Sequence, residues 1–209
     1  CSLESTANMT ISPLRYPGGK SKLYRFFCEL INANGLYNCD YCEPYAGGAG
    51  LAIKLLASGF VQKISLNDID PGIYAFWEAV LRQADDFCDL IEQTPITVEE
   101  WHRQKSIWRN CDATDLLQLG FATYFLNRTS RSGIIENAGP IGGYKQDGTW
   151  KIDARFTKKN QILNIQFLSR FKDQIEVHNE DALSYVRRKL TKKKSLVYLD
   201  PPYYVKGSK

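Results

Sequence analysis

The sequence predicts an α/β fold in which a mainly helical insert interrupts a sheet of buried strands. Early in the chain, a strand candidate runs into a glycine-rich turn at 46–50 and then into a helix over 50–58. The alternation of apolar strand and polar turn returns late in the chain. The strand candidates are residues 41–45, 61–66, 175–178 and 195–199. Strands separated by helices in this order are typical of a parallel sheet covered by helices.

Three further helices are indicated by their start and stop signals. Residues 20–33 place their apolar side chains on one stripe, and Gly35 follows as a stop. Pro71 suits the first turn of a helix that follows the second strand. Thr97 and Glu100 form a candidate capping box before another helix.

The middle of the chain differs in residue pattern and composition from the regions before and after it. Apolar residues over 113–127 predict a further helix, and a stretch rich in Gly, Ser, Arg and Lys follows it. The pair Asp147-Gly148 favours a β-hairpin near 141–152. The predicted organisation is an α/β domain formed by 9–74 and 171–209, interrupted by a mainly helical insert over 75–170.

Composition narrows the class of protein. The chain has 209 residues, a net charge of +4 and six cysteines. The charge fits a polyanionic partner without requiring one. Cys39 and Cys42 form a CxxC pair with no second pair or histidine nearby, so we expect buried thiols and no metal site. No apolar run approaches the roughly 18 residues of a membrane span, and we expect a cytoplasmic protein without membrane association.

The glycine turn and the end of the next strand suggest a nucleoside cofactor. Glycines after a strand allow a ligand to approach the backbone closely. Asp68 lies about 20 residues further on, where nucleoside-binding sheets place a carboxylate for ribose hydroxyls. The turn Gly47-Gly48-Ala49-Gly50 is not GxGxxG, which counts against a dinucleotide oxidoreductase. A plain tight turn is the alternative interpretation.

The tetrad Asp200-Pro201-Pro202-Tyr203 follows the last apolar strand. One chemistry that these residue types could serve is methylation of an amino group such as adenine N6. This nitrogen is a poor nucleophile because its lone pair is conjugated into the ring. Asp200 could accept one N6 hydrogen and a carbonyl of the Pro-Pro segment the other, which would aim the lone pair at a methyl donor. Tyr203 offers a face on which an extruded base could stack. The alternative is a rigid loop, since Pro-Pro is common in turns.

A third motif, residues 15–20, precedes the first helix. Tyr16 could stack on a purine, and Lys20 could pair with a carboxylate. Taken alone, these residues also fit a turn followed by a helix start.

The four motifs RYPGGK, EPYAGGAG, NDID and DPPY, in this order, resemble the Dam-like class of DNA adenine-N6 methyltransferases. Residues 127–133, of sequence NRTSRSG, resemble the DNA-facing insert of the same class. The resemblance covers residues 12–207. It implies a Rossmann-like sheet, S-adenosyl-L-methionine as cofactor, and methylation of a flipped adenine in duplex DNA.

The resemblance also implies roles for individual residues. A sulfonium methyl donor needs no metal or activating base. Asp181 would lie near the cofactor's adenine, or else serve as a helix N-cap. The implied catalytic residues are Asp200, Pro201, Pro202 and Tyr203. The implied cofactor-binding residues are Tyr16, Lys20, Glu43, Pro44, Gly47, Asp68, Asp181 and Asp200.

DNA contact is predicted for the basic and aromatic region that follows the 113–127 helix. Basic side chains neutralise phosphates, and a hairpin can enter the major groove. A solvated basic surface is the alternative interpretation. The predicted DNA-binding residues are Asn127, Arg128, Arg131, Tyr144 and Lys145.

The sequence departs from the Dam-like pattern at its end. Lys209 follows Tyr203 closely, whereas members of this class continue with further strands and helices. Either the native polypeptide continues past Lys209, or the gene product is truncated. If the 209 residues are all there is, we expect an incomplete sheet with the DPPY strand near an exposed edge, weak or absent catalysis, and impaired cofactor binding. The alternatives are a catalytically inactive DNA-binding remnant, or an N-methyltransferase acting on RNA or on a protein amide. Those N-methyltransferases more often carry Asn before Pro-Pro.

Overall fold

The computed structural model describes residues 12–15, 21–191 and 194–201. Within this part, helices alternate with the strands near both ends of the chain and make up most of its middle. The helices are α1 (Ser21–Ala33), α2 (Gly50–Ala57), α3 (Pro71–Arg82), α4 (Ala84–Gln93), α5 (Val98–Asn110), α6 (Leu116–Thr129), α7 (Lys158–Ser169) and α8 (Ala182–Leu190). The strands are β1 (Asp40–Glu43), β2 (Lys63–Asn67), β3 (Ile175–His178) and β4 (Ser195–Val197). A short 3-10 turn spans Arg131–Gly133.

The described strands form one parallel sheet in the order β3-β2-β1-β4. Tyr41 of β1 pairs with Ile64 on one side and with Leu196 on the other. Because all four strands run the same way, their carboxyl ends meet at one edge of the sheet, here called the carboxyl edge. Strands β2 and β3 lie on one side of β1, whereas β4 lies on its other side, so the order of strand addition reverses between β1 and β4. Ligands of open α/β sheets bind at the carboxyl ends of the strands at such a reversal point. The α/β prediction is confirmed.

Several helix starts follow from the residue at the N-cap. The Thr97 hydroxyl accepts a hydrogen bond from Glu100 N at 3.1 Å, which confirms the predicted cap of α5. Asp70 caps α3, with Pro71 in the first turn as predicted. Asp181 caps α8 by accepting from Ser184 N at 3.0 Å. The N-cap interpretation of Asp181 is therefore confirmed.

The core joins the sheet to the helices of the middle region. Phe76 of α3 stacks on Tyr124 of α6 with the ring planes 8° apart. Gly120 allows this close packing, because a Cβ there would lie 2.6 Å from the Ala75 carbonyl oxygen. Cys39 and Cys42 are both buried free thiols, as predicted. None of the described helices has the length and apolar character needed to span a bilayer.

The predicted hairpin near 141–152 is wrong, since this segment forms consecutive turns and contains no strand. Gly142 and Gly143 have φ of 81° and 73°, which interrupts an extended backbone. The Gln146 side chain closes the loop instead. Its Nε2 donates to the Ile141 carbonyl at 2.8 Å, and its Oε1 accepts from Ile152 N at 2.8 Å. Local side-chain hydrogen bonds have replaced the strand ladder.

Candidate active site at the carboxyl edge of the sheet

Asp68, at the end of β2, holds the glycine turn that follows β1. Its carboxylate accepts from Gly47 N at 2.9 Å and from Asp70 N at 3.1 Å. Burial raises the pKa of this carboxyl, while the two N–H donors lower it in part. The predicted pairing of the glycine turn with Asp68 is thus a direct contact in the folded chain.

The backbone of the glycine turn is fixed from both sides. The carbonyl of Gly47 accepts from the indole Nε1 of Trp77 at 2.9 Å, and this indole is buried. Gly47 and Ala49 both adopt the left-handed conformation, with φ of 47° and 45°. These torsions turn the chain sharply from β1 into α2. The turn is therefore a preformed shape rather than a loose connection.

Asn67 is a site residue to which the sequence assigned no role. Its side chain is fully buried, and its Nδ2 donates to the Pro44 carbonyl at 3.1 Å and to the Glu180 carbonyl at 3.0 Å. Its Oδ1 accepts from Glu180 N at 3.0 Å. One amide therefore ties together the carboxyl ends of β1, β2 and β3. The signal was its position, an Asn directly after a buried strand and before Asp68.

Glu43 and Pro44 lie at the end of β1, as predicted. Glu43 is buried and its Oε1 accepts from the Tyr41 hydroxyl at 3.0 Å. Burial raises the pKa of Tyr41, and the neighbouring Glu43 charge raises it further. Both residues lie at the carboxyl end of β1, the strand that borders β4.

Asp200 lies at the same edge, three residues after β4. Its side chain is partly buried, and the following Pro201 is exposed. Tyr198 N donates to the Cys42 carbonyl at 2.9 Å, which continues the β1–β4 pairing toward Asp200. Among the described strands, β4 forms one margin of the sheet. The structure thus places Glu43 and Asp200 at the carboxyl ends of two adjacent strands.

Four of the predicted site residues lie outside the described residues. They are Tyr16, Lys20, Pro202 and Tyr203.

Asn127 and Arg128, predicted to contact DNA, hold the segment that leads into Tyr16. The Asn127 side chain is buried, with Oδ1 accepting from Arg15 N at 2.6 Å and Nδ2 donating to Arg15 O at 3.0 Å. Arg128 Nε donates to the Pro13 carbonyl at 2.7 Å. Burial lowers the pKa of the Arg128 guanidinium, and the charge of Arg15 lowers it further. These side chains therefore serve internal contacts.

Arg131, Tyr144 and Lys145 are exposed residues of the loop over 130–152. A Cβ on Gly139 would lie 3.3 Å from both an Arg131 guanidinium nitrogen and the Tyr144 hydroxyl, so these two side chains converge there. The Tyr144 ring stacks on His102 with centroids 5.6 Å apart. Basic and aromatic groups fixed side by side could contact both phosphates and bases.

No group of three or more His, Cys, Asp or Glu side chains able to hold a metal ion occurs within residues 12–15, 21–191 and 194–201.

A parallel sheet in the order β3-β2-β1-β4, with a glycine turn after β1 and carboxylates after β2 and β4, is consistent with the Rossmann-like methyltransferase fold. The chain belongs to the D12 class of N6 adenine-specific DNA methyltransferases, since the model of that family matches residues 16–208. The resemblance to Dam-like enzymes is thereby confirmed. A search of curated proteins finds no match. Membership implies methyl transfer to adenine N6, DNA as the substrate, and in general S-adenosylmethionine chemistry.

Proposed function

We propose that this chain binds S-adenosyl-L-methionine and methylates N6 of an adenine that is turned out of duplex DNA. The observation that carries the proposal is the arrangement at the carboxyl edge. Glu43 ends β1 and the glycine turn follows it, Asp200 follows the adjacent β4, and Asp68 contacts the turn directly. Cofactor and target base would meet in the crevice between β1 and β4.

The residues of this edge fit the proposed cofactor. Gly47 has no side chain and its backbone is held in place, so a ligand could approach it closely. Asp68 uses one acceptor position on each oxygen for backbone N–H groups, and ribose hydroxyls could donate to the remaining lone pairs. Glu43 and Pro44 would border the methionine part, with Tyr16 and Lys20 completing the pocket. When bound, S-adenosylmethionine supplies an activated methyl group on a sulfonium. Asp181, as the N-cap of α8, would border the adenine from the end of β3.

Asp200 would orient the nucleophile. Its carboxylate would accept one hydrogen of the adenine amino group, and a carbonyl in Pro201-Pro202 would accept the other. The nitrogen would then present its lone pair to the methyl carbon, so that an N–C bond forms as the S–C bond breaks. S-Adenosylhomocysteine would leave with the S–C electron pair, and the methylated nitrogen would lose one proton to solvent. Tyr203 would stack on the extruded base. No metal enters this scheme.

The DNA would lie against the surface formed by Arg131, Tyr144 and Lys145. Arg131 and Lys145 would neutralise phosphates, and Tyr144, already fixed on His102, would stack or hydrogen-bond without further ordering. Asn127 and Arg128 would act on DNA indirectly, through the backbone segment they hold. Genomic DNA and the reducing cytoplasm are the substrate and compartment consistent with this scheme and with the free cysteines.

The test is nucleoside mass spectrometry. The chain would be expressed in a bacterium without adenine methylation, and its DNA and RNA digested separately. We expect N6-methyladenine in DNA, lowered about 10²–10³-fold by Asp200→Ala. Asp89→Ala, which removes an exposed carboxylate on α4, is the matched control and should leave the signal unchanged. Methylation of RNA instead of DNA would overturn the proposal. DNA binding without any methylation would favour an inactive binding protein.

A further inference from the structure

The backbone over residues 12–15 lies between the two proposed binding regions. On one side, the Ser12 hydroxyl donates to the Gly48 carbonyl at 2.6 Å, within the glycine turn. On the other side, Asn127 of α6 holds both the N–H and the carbonyl of Arg15. The four residues 12–15 therefore connect the glycine turn to the end of α6.

Asn127 also reaches the loop that carries the proposed DNA contacts. Its Nδ2 donates to the Gly133 carbonyl at 3.1 Å, directly after Arg131 and Ser132. A Cβ on Gly133 would lie 3.0 Å from Arg15 O and 3.3 Å from Asn127 Nδ2. Gly133 also has a φ of 74°, which disfavours other residues. An added methyl group on Gly133 would therefore crowd both Arg15 and Asn127.

We infer that Asn127 is a positioning residue that couples cofactor binding to DNA binding, through its simultaneous hold on Arg15 and Gly133. The inference rests on the proposed function, because it assigns the two ligands to the two sides of this junction. Both N–H groups of the buried Asn127 amide are hydrogen-bonded, one to Arg15 and one to Gly133. A shift of one partner segment therefore moves the amide, and with it the other partner segment. Ordering one partner segment therefore lowers the entropic cost of ordering the other.

Such coupling is reciprocal. If the cofactor tightens duplex binding by some factor, the duplex tightens cofactor binding by the same factor. We expect a factor of about five or more in the unaltered chain. In Asn127→Leu, which keeps the side-chain volume and removes all three hydrogen bonds, the factor should fall to about one.

The experiment measures four dissociation constants by calorimetry. S-Adenosylhomocysteine, which cannot react, is titrated with and without a random-sequence duplex pool, and the duplex with and without S-adenosylhomocysteine. Gly133→Ala perturbs the same junction from the loop side and should give the same loss of coupling. Thr129→Val is the matched control, since the side chain of this buried α6 residue bonds, among the described residues, to Phe125 O and not to the junction.

Hydrogen exchange provides a second readout that a general loss of stability would not mimic. In the unaltered chain, S-adenosylhomocysteine should slow amide exchange over residues 131–135, on the loop side of this junction. Asn127→Leu should abolish this protection while the protection of β1 and β2 persists. Coupling that survives in both junction variants, or is lost equally in Thr129→Val, would overturn the inference. An unaltered chain that binds neither ligand would instead overturn the proposed function, and the inference with it.

Discussion

The carboxyl edge of the sheet and the loop over 130–152 are both proposed to contact substrate, yet they are built differently. At the edge, position follows from strand order, and buried groups such as Asn67 lock neighbouring strand ends together. In the loop, shape follows from positive-φ glycines and the side chain of Gln146. The site at the carboxyl edge is fixed by regular strands, and the order of the sequence motifs already implies it. The surface of the loop over 130–152 is shaped by local hydrogen bonds, and the sequence alone did not predict it.

The largest expected effect is on the packing that joins the two regions. In Gly120→Ala, the new Cβ would press on the α3 backbone at Ala75 and Phe76, which has no freedom to move aside. We expect a loss of about 3 kcal/mol or more in the free energy of unfolding, measured by urea denaturation. Gly148→Ala is the control in the loop, where the added Cβ has ordinary contacts, and should change stability by about 0.5 kcal/mol or less. Equal effects would show that the loop is packed as tightly as α6.

The second effect concerns the strand ends. Asn67→Ala leaves the Pro44 carbonyl and the Glu180 N–H and carbonyl without their present partner, so we expect a loss of about 2–3 kcal/mol. Affinity for S-adenosylhomocysteine should fall as well. Asn179→Ala removes an exposed amide at the same edge, where water can replace it, and should cost less than about 1 kcal/mol. If both variants behave alike, Asn67 does not order the edge.

These contrasts mark what the sequence alone could predict. The α/β class, the cap at Thr97 and the Gly47–Asp68 pairing could be predicted because they depend on short-range patterns and on the alternation of strands and helices. Helix α4 was missed because Gln83 alone separates it from α3, with no glycine or proline between them. Helix α7 was missed because its apolar residues follow no clear period. The roles of Asn127 and Arg128 required the fold, because their partners lie more than a hundred residues away in the sequence.

A third, smaller effect is a pH dependence at Asp68. Burial raises the pKa of this carboxyl in the folded chain. Its charged form therefore lowers the stability of the fold at neutral pH, and this cost is relieved as the pH falls through the raised pKa. Cofactor affinity should change in the opposite direction, because ribose hydroxyls require the carboxylate. As the pH is lowered, cofactor binding should begin to weaken at a pH above the ordinary pKa of an aspartate.

The measurement is the dissociation constant of S-adenosylhomocysteine across the acidic range, with thermal unfolding in parallel. Asp68→Asn should bind weakly at every pH and should lose this pH dependence. A wild-type affinity that stays constant down to the ordinary aspartate pKa would show that Asp68 does not receive the ribose.

The smallest expected effect is at the loop surface. Lys145→Ala removes one exposed cation, so the slope of log affinity for duplex DNA against log salt should fall by about 0.9 if Lys145 meets one phosphate. Lys172→Ala, which removes an exposed cation after α7, is the control. A slope that is unchanged by the first substitution, or altered equally by both, would remove Lys145 from the interface.

The register that places Asp40 beside Ser195 has a consequence for how the protein is made. Strands β1 and β2 can pair while the ribosome is still translating the insert, but one flank of β1 stays bare until β4 emerges. Such an open flank is a template for misassociation between nascent chains. Synthesis rate and chaperone supply should therefore influence the yield of this protein more than the stability of its finished fold would suggest.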